Sequence, residues 1–309
     1  MPVLVSAKFS ERNALGLITS AGSLGLLFPP CLPLILYAIV AGSAKQNITI
    51  KQMFLGGILP GILLLALTAA LGVFQAPKQL ANAKRFSLAE ALGAVKEAKW
   101  ELFIPVVAFL GLFGGFATPV ETAALTALYA FFVQTFVYKD LRLTSDVPRV
   151  MTECSLVIGG VLMILGVALG FTNYLVDAEV PDKLVSWAQA NVHSRWVFLL
   201  GLNVVLIFVG GLIEIYAAIV VVVPLLVPVG VAMGLDPVHL GIIFLANMEL
   251  GFLAPPVGLN LLLASYRFNK SIGEVTRSVL PMLAILFFGV LLITYFPPLT
   301  TWLPHWLGR

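Results

Sequence analysis

Charge is what this chain has least of. Its 18 Lys and Arg and 15 Asp and Glu make up 11% of 309 residues, against about 25% in a soluble domain. With 60% hydrophobic residues and a mean hydropathy of +1.03, too little polar surface exists to clothe a globule in water. That excludes a soluble enzyme. Cysteine is nearly absent as well: Cys31 and Cys154 both fall in apolar stretches, which excludes a disulfide framework and a Cys-based zinc site. The three histidines, at 193, 239 and 305, form no cluster. No His-Glu-x-x-His, no paired intramembrane Asp and no Ser–His arrangement points to a membrane-embedded enzyme. The one dense basic stretch, 78–99, alternates with apolar residues and reads as interfacial, so nucleic acid is not a partner.

What the chain does have is long apolar bands. Residues 14–44 and 52–77 carry no charge, 102–138 and 197–235 carry one each, and 154–176 carry none. Bands of about 20 apolar residues between short charged connections predict an all-α polytopic protein in a lipid bilayer. The first band, 14–43, is interrupted by Phe28-Pro29-Pro30. Two consecutive prolines remove two amide donors and push the preceding residue out of the α region, so no regular helix runs through. A span over 53–74 follows, then an interfacial helix over 76–100 ending at Trp100. The band 102–138 breaks at Gly114-Gly115 and Thr118-Pro119. A further span covers 150–172, and 177–195 reads as a short amphipathic segment. The band 197–233 breaks at Gly210-Gly211 and again at Pro224 and Pro228; 237–266 breaks at Ala254-Pro255-Pro256; and 276–296 is the last span.

The two Pro-Pro segments match each other. Ser23-Leu-Gly-Leu-Leu-Phe-Pro-Pro30 sets against Glu249-Leu-Gly-Phe-Leu-Ala-Pro-Pro256 at an offset of 226, which also pairs Pro2 with Pro228 and Ser10 with Asp236. Downstream, Pro60 pairs with Pro281 at an offset of 221. An internal repeat with one broken segment in each half points to the binding site of a secondary transporter. Backbone groups freed at membrane depth need protein, water or an ion to satisfy them. Free carbonyls at helix C-terminal ends suit a cation, and helix N-terminal ends suit an anion. Each half is therefore expected to supply a re-entrant helical hairpin, over 14–43 and 237–266. The organisation expected is a first repeat in 1–100, a broken-helix connection in 101–149 and a second repeat in 150–309.

Three motifs, in this order, resemble a known family: Gly22-Ser-Leu-Gly-Leu-Leu-Phe-Pro-Pro30, Gly114-Gly-Phe-Ala-Thr-Pro-Val-Glu121 and Leu250-Gly-Phe-Leu-Ala-Pro-Pro-Val-Gly-Leu-Asn260. They are similar to the large membrane subunit of the tripartite ATP-independent periplasmic (TRAP) transporters, along essentially the whole chain. The resemblance implies an inverted-repeat, elevator-type importer of organic acids, driven by Na⁺ and multi-pass in the bacterial inner membrane. Its partners would be a small membrane subunit and a periplasmic substrate-binding protein. It carries one sodium site onto the backbone of Gly25, Phe28 and Pro30. The other falls on Gly251, Ala254 and Val257, with Gly210 on a neighbouring broken helix. Family members usually have Thr where Ala254 stands, which leaves a main-chain carbonyl as the ligand there. The second half has roughly 80 residues, 150–227, ahead of the position matching Pro2. The resemblance thus implies the C-terminal three quarters of such a subunit, without the family's first spans.

Polar residues inside the bands are the candidates for substrate contact: Ser23, Thr118, Glu121, Asn247, Glu249 and Asn260. An intramembrane acid is functional by default, yet Glu121 and Glu214 each follow a Gly-Gly pair and equally suit the cap of a broken helix. Glu249 stands beside the second break, to line the substrate path or balance a cation. Asn247 and Asn260 flank that break and can order its backbone as well as touch a ligand. Asp236 and Ser10 read as N-caps, and His239 as an interface residue. Thr19, Ser20 and Ser23 either meet ligand or bond back to their own helix. Two other functions compete: a stand-alone ion-coupled carboxylate symporter of related fold, and a truncated membrane subunit that does not transport.

Overall fold

The computed structural model describes residues 1–43, 48–77, 87–114, 117–192 and 194–307. In chain order its helices are α1 (Pro2–Ser6), α2 (Glu11–Ala21), α3 (Leu32–Ser43), α4 (Ile50–Phe74), α5 (Leu88–Glu97), α6 (Lys99–Phe113), α7 (Pro119–Phe132) and α8 (Asp146–Asp177). Then come α9 (Val180–Asn191), α10 (Arg195–Leu212), α11 (Ile215–Ala232), α12 (Pro237–Gly251), α13 (Leu259–Phe268), α14 (Ile272–Tyr295) and α15 (Pro298–Leu307). No strand occurs among the described residues. Among them α4, Val120–Val137, α10, α11 and α14 are long and apolar enough to cross a bilayer, and the broken pair α2–α3 adds a sixth candidate. The chain is an all-α, multi-pass membrane protein.

Packing divides the chain into two units, 1–80 with 165–309, and 81–164. This division follows spatial neighbours, not the repeat. In the first unit several helices start where the sequence supplies a cap. The Ser10 hydroxyl accepts from the Asn13 amide at 3.2 Å to open α2. Thr49 and Gln52 form a reciprocal capping box at α4. Asp236 accepts from the amides of Val238 and His239 at 2.9 and 3.0 Å to open α12. Both assigned N-caps, Ser10 and Asp236, therefore act as such.

The broken segments are where the expectation of hairpins at the Pro-Pro motifs must be corrected. The two parts of the first, Glu11–Leu27 and Leu32–Gly42, are bent by only 43°. The chain continues through the break instead of returning. Tyr37 on α3 donates its hydroxyl to the Pro237 carbonyl at the start of α12, at 3.3 Å. At the other end of the same segment, Glu11 pairs with Lys270, just past α13, at 3.0 Å. The two ends of α12–α13 thus meet opposite ends of α2–α3. The second broken segment also passes through, in the reverse direction.

The chain does turn back, but at 213–214. One cavity of about 190 Å³ is lined by Phe198, Leu202 and Leu206 of α10 together with Val222, Leu226 and Val229 of α11. A straight continuation would place Phe198 and Val229 about 45 Å apart at 1.5 Å per residue. Only folding back brings both to one cavity, so α10 and α11 form a helical hairpin. The breaks expected at Pro224 and Pro228 do not occur: α11 runs through both. Each proline loses one amide bond in a helix whose Val220, Val223 and Val227 are buried against neighbours. Packing of that kind lets a membrane helix tolerate proline.

The second unit holds α5, α6 and α7. The break between α6 and α7 falls where Gly114 and Thr118-Pro119 place it; Gly115 lies outside the described residues, as do Lys78, Lys84 and Arg85 of the expected interfacial helix. Within that stretch α5 has no buried residue, and Leu88, Leu92 and Val95 are all exposed. The helix does not reach Trp100, because α6 begins anew at Lys99. Tyr129 of α7 donates to the Trp100 carbonyl at 3.0 Å, fastening α7 to the start of α6.

Candidate ion and substrate site

The second break is a compact loop. α12 ends at Gly251, the Pro255–Pro256 bond is cis, Gly258 has φ +43°, and α13 begins at Leu259. A side chain at Gly258 would be forced into a left-handed conformation and against the Ala254 carbonyl, so only glycine suits the position. The Asn260 amide reaches back to the Phe252 carbonyl at 3.1 Å. Against this loop lies the hairpin tip of α10. A methyl group on Gly210 would stand 3.1 Å from the Gly251 Cα and 3.2 Å from the Met248 Cα, so the two backbones touch. One residue on, the place of a Gly211 Cβ lies 3.3, 3.4 and 3.8 Å from the carbonyl oxygens of Ala254, Pro255 and Gly251. The Gly211 carbonyl in turn accepts from the Gly258 amide at 3.1 Å. Three main-chain oxygens converge where Gly211 lacks a side chain.

The first break is built otherwise. A 3₁₀ turn over Leu24–Leu27 follows α2, the Pro29–Pro30 bond is cis, and the Phe28 amide bonds the Gly25 carbonyl at 3.2 Å. The Phe28 ring lies over Gly61 of α4, where a Cβ would meet it at 3.0 Å. Ser23 is buried and its hydroxyl donates to the Ser20 carbonyl at 3.1 Å, while the buried hydroxyls of Thr19 and Ser20 have no partner. The Cys31 thiol donates to the Leu26 carbonyl at 2.7 Å. Gly25 and Pro30 are exposed. The two breaks are side by side: Asn260 donates from Nδ2 to the Thr19 carbonyl at 3.4 Å.

Around the breaks lie buried polar groups. Asn247 donates to Asn203 Oδ1 at 2.6 Å and to the Ile243 carbonyl at 2.8 Å. Thr294 donates to the same Asn203 oxygen at 3.1 Å. This triad joins α10, α12 and α14. Glu249, on α12, is 1% exposed and neither carboxyl oxygen has a hydrogen-bond partner. Asn203 and Thr294 were not among the sequence candidates. A lone amide in the apolar stretch 197–213 is the signal that marks Asn203; for Thr294 the sequence holds none.

The profile of the family described as "Tripartite ATP-independent periplasmic transporter, DctM component" matches residues 1–299. The chain belongs to this family. It is similar to the C4-dicarboxylate TRAP transporter large permease protein DctM of Pseudomonas aeruginosa, at 35% identity over 99% of this chain and 70% of the relative. It is also similar to the sialic acid TRAP transporter large permease protein SiaM of Vibrio cholerae, at 33% identity over 97% of this chain and 69% of that protein. A third relative, the isethionate TRAP transporter permease protein DctMQ of Oleidesulfovibrio alaskensis, is 32% identical over 96% of this chain and 46% of its own length. The relatives' names are those of permeases, not of enzymes.

In this permease the sequence candidates fall into two groups. Ser23, Gly25, Phe28 and Pro30 belong to the first break; Gly251, Ala254, Val257 and Asn260 belong to the second, with Asn247 and Glu249 on α12 and Gly210 against its end. Thr118 and Glu121 belong to the other unit. They join each other as a capping box at α7: the Thr118 amide and hydroxyl donate to Glu121 Oε2 at 2.7 and 2.8 Å, and the Glu121 amide returns a bond at 3.3 Å. Glu214 accepts from the amides of Tyr216 and Ala217 and caps α11. His239 is buried, with Nδ1 2.8 Å from the Thr300 hydroxyl. Among the described residues no group of three or more His, Cys, Asp or Glu gathers. A cation at the second break would therefore rest on carbonyl oxygens. The converging set of Ala254, Pro255 and Gly251 consists of hard, neutral oxygens of the kind an alkali cation takes, so the donor set fits Na⁺.

Proposed function

We propose that this permease imports a small organic acid together with Na⁺ across the bacterial inner membrane. C4-dicarboxylates are the first candidates, since the dicarboxylate permeases of Pseudomonas aeruginosa and Rhodobacter capsulatus both share 35% identity with the chain. In this reading a periplasmic binding protein delivers the acid and a small membrane subunit completes the carrier. The observation that carries it is the second break. There the carbonyl oxygens at and just past the C-terminal end of α12 converge beside Gly211, while α13 starts after Gly258 with no side-chain cap. A helix C-terminal end favours a cation and an uncapped helix N-terminal end favours an anion, here within one loop. Na⁺ held by the carbonyls of Gly251, Ala254 and Pro255 would supply positive charge next to the carboxylate. The first break lies alongside, tied by Asn260, and would contribute Gly25, Phe28 and Pro30. In an elevator-type cycle the bundle holding both breaks moves as one body, so substrate and ion travel together.

Proteoliposomes holding the permease with its small subunit test this. With loaded binding protein outside, radiolabelled C4-dicarboxylate should accumulate under an inward Na⁺ gradient and not under an equal K⁺ gradient. Uptake indifferent to that exchange sinks sodium coupling. Uptake without the binding protein favours instead a stand-alone symporter of related fold.

A further inference from the structure

The starts of α2 and α14, from different halves of the chain, meet at one end of the bundle. Gly16 of α2 lacks a side chain where it passes the Ser278 carbonyl, so the two helices touch there. One turn nearer the end, Arg12 donates from Nη2 to the Arg277 carbonyl at 2.9 Å. Around that bond opens a cavity of about 580 Å³. It is lined by the buried Leu15 and Ser278 and by the charged side chains of Glu11, Arg12, Lys270, Glu274 and Arg277. Their charges do not cancel. Glu11 and Glu274 share one partner, the Lys270 ammonium, at 3.0 and 3.3 Å. Neither arginine pairs with an acid among the described residues, where the remaining ion pair is Arg149–Glu153. Arg12 uses one of its five N–H groups on the Arg277 carbonyl, and the Arg277 side chain bonds no described residue. Three cations thus face two carboxylates, which leaves one positive charge in excess. Lys8, just before α2, and Arg267, in the last turn of α13, stand at the same end. Such enrichment in Lys and Arg marks the cytoplasmic end of membrane helices.

From Arg277 onward α14 shows an apolar face. Arg277, Leu280, Ala284 and Phe288 follow at steps of three, four and four, which keeps them within about 80° of one another over roughly 17 Å of helix. All four are exposed, Leu280 by 49% and Phe288 by 54%. Because α14 is long and apolar enough to span a bilayer, its charged start lies at the membrane edge and this lane at hydrocarbon depth. A soluble anion would use the guanidiniums and leave the lane bare; a phospholipid uses both. The planar guanidinium fork matches phosphate oxygens two at a time, and basic pockets between membrane helices hold anionic headgroups. The single excess charge fits one phosphodiester and favours a headgroup with no cation of its own. We infer that this cavity binds an anionic phospholipid. Arg12 and Arg277 hold its phosphate, and an acyl chain lies along Leu280, Ala284 and Phe288. The lipid joins the start of α2 to the start of α14, one helix away from either break, so the site is independent of the solute carried.

Native mass spectrometry of the full chain in neutral detergent tests this without transport. The chain is titrated with phosphatidylglycerol and, separately, with phosphatidylcholine of the same acyl chains. Phosphatidylglycerol should bind roughly tenfold more tightly, the worth of one hydrogen bond between charged groups. Arg277→Gln should abolish that preference, and its fold is expected to persist because the side chain it replaces bonds no described residue. Arg12→Gln should act in the same direction. Arg142→Gln removes an exposed cation of the other unit and should leave the preference intact. Leu280→Gln, which spoils the lane and spares the cations, should weaken phosphatidylglycerol binding. Equal binding of the two lipids by wild type overturns the proposal, as does an equal loss in Arg142→Gln and Arg277→Gln. Competition by soluble glycerol phosphate at the concentrations at which the lipid binds would make this a site for free phosphate instead. Loss of phosphatidylglycerol on adding the small membrane subunit would show that a protein, not a lipid, covers this face.

Discussion

Asn260, two residues past the turn at Gly258, gives its side-chain amide to the carbonyl of Thr19, on the helix that leads into the other break. The two residues are 241 apart in sequence. One hydrogen bond thereby joins the halves of the repeat at the level where both helices are interrupted. Asn260→Ala removes it. A net hydrogen bond is worth about 1 kcal/mol, or roughly fivefold in a population. Na⁺-driven uptake is expected to fall by about that factor at unchanged membrane abundance. Uptake equal to wild type would show that the bond does not hold the breaks together.

Gly251 and Gly211 separate packing from ion binding. A methyl on Gly251 is driven into the Gly210 backbone, and such overpacking costs about 1–3 kcal/mol. Gly251→Ala should lower the thermal unfolding temperature in detergent. A methyl on Gly211 instead sits 3.3–3.4 Å from the carbonyls of Ala254 and Pro255. Gly211→Ala is expected to fold nearly normally and to raise the Na⁺ concentration for half-maximal uptake. Gly273→Ala, with nothing within 4 Å of its Cβ, is the control. An unchanged sodium requirement in Gly211→Ala would count against these carbonyls as ligands.

The Asn203–Asn247–Thr294 triad is fully buried. Asn203→Leu leaves two donors unpaired, those of Asn247 and Thr294, each of which costs about 1–3 kcal/mol in the interior. Chemical unfolding should show a loss in that range. The double substitution Asn203→Leu with Asn247→Leu should lose less than the sum of the two singles, since neither then strands the other. Additive losses would mean that the two side chains do not depend on each other.

Lys270 lies in the loop between α13 and α14 and pairs with Glu11 at 3.0 Å and Glu274 at 3.3 Å. Hydrogen bonds from Glu11 and then Glu274, with their charges, hold its ammonium above the ordinary lysine value. A raised value in the folded state stabilises the fold at every pH below the unfolded value of about 10.4, and the contribution fades as pH climbs beyond it. Lys270→Met should narrow stability at the alkaline end, with little change near neutrality because the pair is solvent-exposed and screened. Melting curves from pH 7 to 11 at low and high salt check this. An alkaline limit identical in both proteins would dismiss the pair.

Much of the fold was legible because its causes are local. The charge-free run 52–77 and the Thr49–Gln52 pair make α4; Ser10 and Asp236 start α2 and α12; the consecutive prolines lie in the breaks that separate α2 from α3 and α12 from α13. The candidate site is placed at the same breaks, and the profile match over 1–299 agrees with the family read from the three motifs. The misplaced hairpins have a common source. A Pro-Pro pair dictates that a helix stops, but it does not dictate the direction in which the next one leaves. Whether the chain crosses, as at Phe28 and Ala254, or turns back, as at 213–214, depends on what each arm packs against.

Length, apolar period, caps and proline act through neighbours along the chain, so the sequence by itself determined a polytopic helical protein with two broken segments and glycine-lined tips. Tertiary structure alone decided that Asn203 meets Asn247, that Gly210 touches Gly251, and that Glu249 is buried with no partner while Glu214 and Glu121 serve as caps. In sequence these three acids look alike, each a single charge in an apolar band. Which of them finds a free helix end and which is sealed inside is set by contacts between residues far apart in the chain, and no local pattern encodes those contacts.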